Sequence, residues 1–88
     1  MNETTTHGGD RPMTSGEIAV GLTFNPSNDP QVQELKELFA KAFDIVEQSV
    51  LADDGSIQTA RKRKMRDAAL REIISAQMWA VKTVTLKY

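Results

Sequence analysis

The sequence predicts an all-α protein, a helical hairpin with a short N-terminal extended segment, assembled into a homo-oligomeric bundle. Three observations lead there. The hydrophobic residues concentrate in two stretches, 30–51 and 56–85, joined by the tight link Ala52-Asp53-Asp54-Gly55. Their apolar positions recur at helical spacing. The stripes are also wider than one hairpin seam can cover, so the surplus apolar surface calls for another copy or another partner.

The elements follow in chain order. Residues 1–16 are polar and rich in Thr, Gly and Ser, and read as a disordered tail ahead of one domain over 17–88. Residues 17–24, with Ile18, Ala19, Val20, Leu22 and Phe24, read as a short extended segment lying across the hairpin. Asn25-Pro26-Ser27-Asn28-Asp29-Pro30 is a helix-start signal. Asp29 suits the N-cap, and Pro30 suits the first helical position, where its missing N–H costs nothing. Helix one is expected over 30–51, about 33 Å long, with Val32, Leu35, Phe39, Ala42 and Val46 at three-four spacing. Leu38, Phe43, Ile45 and Val50 broaden that stripe. Gly55 ends the link, and Ser56 can cap a second helix of about 44 Å. Met78 and Trp79 on its last turns read as core.

Composition narrows the function. A core this small is usually reinforced by disulfides, metals or oligomerisation. The chain has no cysteine, and its one histidine, His7, falls in the tail. That removes disulfides, thiolate metal sites and the usual general base, and leaves oligomerisation. No nucleophile–base pair, metal cluster, phosphate loop or paired carboxylates stand out, so neither catalysis nor a cofactor is expected. No stretch approaches the roughly 20 apolar residues of a membrane span, and the N-terminus lacks the pattern of a signal peptide. A cytoplasmic protein without membrane partners is the expectation.

Net charge is −1, but it is segregated. Residues 29–54 carry seven acids against Lys36 and Lys41, giving −5, whereas 55–88 carry eight bases against Asp67 and Glu72, giving +6. Arg61-Lys62-Arg63-Lys64-Met65-Arg66 puts five cations in six positions. Such a run is either a solvated face balanced by helix one or a phosphate-binding surface, and symmetry-related copies would make it a compact positive pocket. Phe24, just ahead of the helix cap, is either a staple packing on helix one or a platform for a nucleobase. Lys36, in the second turn, could serve a phosphate held near Phe24, although exposed lysines are usually solubilising.

The blocks Thr23-Phe24-Asn25-Pro26-Ser27-Asn28-Asp29-Pro30, Val32-Gln33-Glu34-Leu35-Lys36 and Ala76-Gln77-Met78-Trp79-Ala80-Val81-Lys82-Thr83-Val84-Thr85 resemble small bacteriophage proteins. These are the anti-CBASS cyclic-oligonucleotide sponges, which share a helical hairpin with the sponges that counter Thoeris defence. The resemblance covers residues 18–85, and the last block is its most specific part. It implies a helical homohexamer in the host bacterial cytoplasm that sequesters cyclic dinucleotides, and cyclic trinucleotides at a second site, without cleaving them. By that resemblance, Phe24, Asn25, Pro26, Ser27 and Lys36 would hold the dinucleotide. Arg63, Lys64, Arg66 and Arg71 fall where the trinucleotide site is expected, with Lys64 or Arg66 as its central cation. Here Phe stands where the better-known branch has Tyr, and its spacing to the lysine is shorter. Two readings compete with this one: a small dimeric helical module that binds RNA or DNA through the basic run, and a small protein-interaction module. The sponge reading expects no affinity for long nucleic acid.

Overall fold

A computed structural model of the protein describes residues 11–49 and 55–87. Three helices carry the described chain: α1 (Ser15–Val20), α2 (Pro30–Glu47) and α3 (Ile57–Thr85). Helices α2 and α3 lie side by side as a hairpin, and α1 packs chiefly on α2. No strand occurs among the described residues. The Cα positions span 48 × 42 × 12 Å, so the molecule is a single layer of helices with two broad faces.

The expected extended segment is instead α1 and the turn after it. Local hydrogen bonds decide this. Thr14 accepts from the backbone N–H of Glu17, whose side chain in turn accepts from the N–H of Thr14. That reciprocal box satisfies two of the donors a helix start leaves open. Gly21 closes the helix in the left-handed conformation at φ 64°, which a residue without Cβ adopts freely. Helix α1 therefore begins inside the stretch assigned to the tail; residues 1–10 of that tail lie outside the described residues.

Helix α2 starts as the sequence dictates, with the Asp29 side chain accepting from the N–H of Gln31 at 2.8 Å and Pro30 in the first turn. It ends at Glu47 rather than at 51: Gln48 caps it, its N–H donating to the Asp44 carbonyl and the next N–H, that of Ser49, to the Val46 carbonyl. Residues 50–54, most of the expected link, lie outside the described residues. Ser56 caps α3 by accepting from the N–H of Thr59 at 3.1 Å.

The buried row of α2 is Val32, Lys36, Ala40 and Phe43. Val32 and Phe43 belong to the expected apolar set, but Leu35, Phe39, Ala42 and Val46 are only half-buried, so the row is rotated towards Lys36 and Ala40. The cause is α1. Gly16 sits so close to α2 that a Cβ there would run into the Ala40 carbonyl, with its carbon at 2.9 Å and Asp44 Oδ1 at 2.8 Å. The Gly16 N–H donates to Asp44 Oδ1 at 2.7 Å. This contact draws the Ala40 side of α2 inward, where Val20, Leu22 and Ala40 form the core with Met13 and Phe39 against it. The buried positions of α3 are polar, Thr59 and Gln77. Trp79 and Met78, expected in the core, are 66% and 63% exposed.

Candidate functional site

The turn between α1 and α2 is built from its own hydrogen bonds. The Phe24 N–H donates to the Gly21 carbonyl at 2.9 Å, which folds the chain back after the cap. Leu22 anchors the turn in the core at 3% exposed. Further on, the Asn28 N–H donates to the Asn25 carbonyl at 3.0 Å, with Asn28 at φ 55°, a conformation asparagine tolerates. Asn25 Nδ2 donates to the Asp29 carbonyl at 3.0 Å, and Ser27 Oγ donates to Asn25 Oδ1 at 3.2 Å. The loop that precedes α2 is thus held in one shape.

Lys36 lies beneath it. The residue is 5% exposed, and its ammonium donates to the Gly21 carbonyl at 2.9 Å and to the Phe24 carbonyl at 2.6 Å. Burial pushes this lysine below its ordinary value, because the charged form has lost water. The two carbonyls take two of its three N–H donors and leave one uncommitted among the described residues. Lys36 is therefore a buried clamp joining the end of α1 to the Phe24 turn, and not the solubilising surface lysine of the alternative reading.

Phe24 is not tucked under that turn. It is 71% exposed, with Lys36 Nζ 5.5 Å from its ring centroid. A staple would have its ring covered by α2; this ring keeps a face open. Phe24, Asn25, Pro26, Ser27 and Lys36 line one cavity of about 280 Å³, completed by Val32 of α2 and by Val81 and Thr85 of α3. Val81 and Thr85 were not singled out as site residues, although their four-residue step puts them on one face of a helix.

The four residues assigned to a second site are not gathered in one chain. Arg63 and Arg66 are half-buried, whereas Lys64 and Arg71 are exposed. Arg66 pairs with Asp67 at 3.0 Å and lines a depression of about 250 Å³ with Lys62, Met65, Ala69, Val46 and Ser49. Among the described residues there is no cluster of three or more His, Cys, Asp or Glu able to hold a metal ion. No helix among them is long and apolar enough to cross a membrane. Compared with protein families, with curated proteins and with solved structures, the chain matches none.

Proposed function

We propose that the protein is a non-catalytic sponge that binds cyclic dinucleotides, and through symmetry-related cations cyclic trinucleotides, and so shields an infecting phage from CBASS signalling in the bacterial cytoplasm. The observation that carries this reading is the cavity. One small space holds an open aromatic face, a buried ammonium, and the amide and hydroxyls of Asn25, Ser27 and Thr85. An aromatic face takes a base of any sequence, and stacking contributes about 1–3 kcal/mol per base. The polar rim suits a base edge or a ribose, and the spare Lys36 N–H suits a phosphate oxygen. A chain with no cysteine and one tail histidine offers nothing obvious to cleave what it binds. Assembly into a homo-oligomer, a hexamer by the resemblance, is supported by the thin single layer and by the exposed Trp79, Met78, Met65 and Leu38.

Titration calorimetry against a panel of cyclic di- and trinucleotides tests the proposal, with the ligand recovered by heating and chromatography. The wild-type chain should bind a cyclic dinucleotide and return it intact. Phe24→Ala should weaken that binding by roughly ten- to a hundred-fold, the equivalent of the stacking contribution. Unchanged binding in a folded Phe24→Ala chain would rule out the Phe24 cavity as the site, and a wild-type chain that binds no panel member, or returns linear products, would rule the sponge out.

A further inference from the structure

The hydrogen positions in the Phe24 cavity follow from the bonds around it. A backbone carbonyl can only accept, so the Asp29 carbonyl, 3.0 Å from Asn25 Nδ2, fixes which end of that amide is the nitrogen. The Asn25 oxygen therefore faces Ser27 Oγ at 3.2 Å, and the serine hydrogen must go to it. The same rule applies on α3. Thr85 Oγ1 lies 2.8 Å from the Val81 carbonyl and 3.4 Å from that of Lys82, so its one hydrogen is committed along its own helix. Both cavity hydroxyls are left with lone pairs only.

The free donors lie elsewhere. Among the described residues, Asn25 keeps one amide N–H and Lys36 one ammonium N–H. An ionised phosphate only accepts, so these two can serve it, whereas the oxygens of Ser27 and Thr85 cannot. Those oxygens suit a ligand group that donates, which in a nucleotide is a ribose hydroxyl or an exocyclic amine. Thr85 is the more selective of the two. Ser27 is exposed, and water can serve it as well as a ligand can. Thr85 is half-buried, and its bond to Val81 holds its rotamer. Among the described residues it is also the one polar side chain that α3 contributes to the cavity. A ligand without the matching donor would cover that oxygen and leave it unpaired.

We infer that Thr85 sets ligand specificity in the Phe24 cavity: its hydroxyl oxygen accepts from a ribose hydroxyl or an exocyclic amine of the bound nucleotide, while Lys36 and Asn25 serve the phosphate. The inference rests on the proposed ligand class. Titration calorimetry on the full-length chain compares cyclic di-GMP with its deoxyribose form, which lacks the hydroxyl, and with cyclic di-IMP, which lacks the amine. For a chain that prefers cyclic di-AMP, the analogues are its deoxyribose form and the one carrying unsubstituted purine. The wild type should bind at least one analogue about ten-fold more weakly than the parent, and the analogue that suffers identifies the donor. Thr85→Val keeps the shape and removes the oxygen. It should bind the parent about as weakly as the wild type binds that analogue, and so lose the preference. Thr85→Ala, a better helix former, should do the same, whereas Thr85→Ser should keep the preference. A wild-type chain that binds the parent and both analogues alike overturns the role of Thr85 and leaves the ligand class standing. Equal weakening of all three ligands by Thr85→Val does so too, because a purely structural threonine would act that way. A wild-type chain that binds no cyclic dinucleotide overturns the ligand class and the inference with it.

Discussion

Replacing Lys36 by Met tests whether the buried ammonium holds the Phe24 turn together. The substitution keeps an apolar stem of similar reach and removes the charge. Two hydrogen bonds disappear, to the carbonyls of Gly21 and Phe24. Bonds to charged groups contribute about 1.5–3 kcal/mol each. The Gly21 carbonyl keeps the Phe24 N–H, whereas the Phe24 carbonyl keeps no protein donor among the described residues. Against these losses, methionine no longer desolvates a charge, the effect that lowers the lysine's pKa. The net expectation is a loss of about 1–3 kcal/mol, read by urea denaturation at fixed protein concentration, since assembly couples stability to concentration. With a slope near 1 kcal/mol/M for so small a chain, the midpoint should fall by about 1–3 M. A Lys36→Met chain as stable as the wild type would refute the clamp and leave ligand binding as the lysine's only use.

Three further outcomes can be checked with the same apparatus. The folded chain holds the Lys36 proton less tightly than the unfolded chain, whose value is near 10.5, so the unfolded state binds more protons between the two values. Wild-type stability should therefore rise relative to Lys36→Met as pH climbs through that window towards 10.5, and the difference should stay flat below it; a fall would mean that the carbonyls outweigh burial. Gly16→Ala drives a Cβ into the Ala40 carbonyl and Asp44, so α1 must lift off α2, at a cost of about 1–3 kcal/mol in the same denaturation series. An unchanged midpoint would show that α1 does not pack as described. Gln77 is 5% exposed and its amide has no hydrogen-bond partner among the described residues, so Gln77→Met should stabilise by about 1 kcal/mol; comparable destabilisation would mean that the amide is bonded in the assembly.

The helix ends were legible wherever a side chain bonds its own neighbours. Asp29 with Pro30 and Ser56 before Ile57 mark the starts of α2 and α3, and the structure begins both helices there. The start of α1 was written just as locally, in Thr14 and Glu17, but the apolar residues that follow favoured an extended reading. A capping box stabilises one turn whatever comes after it, and Gly21 then stops the helix where those apolar residues turn into the core. The rotation of α2 was not legible, because its stripe is broad enough to bury several rows. The close approach at Gly16 selected the row that contains Lys36. Sequence alone could name Phe24 and Lys36 as neighbours along the chain. Tertiary structure decided that the lysine is buried under two carbonyls, because α1 ends directly above it. It also decided that Val81 and Thr85 close the cavity, because residues distant in sequence meet only once the hairpin has folded. A local hydrogen bond can be read from the sequence, whereas the facing of two helices depends on every other contact that fixes their rotation.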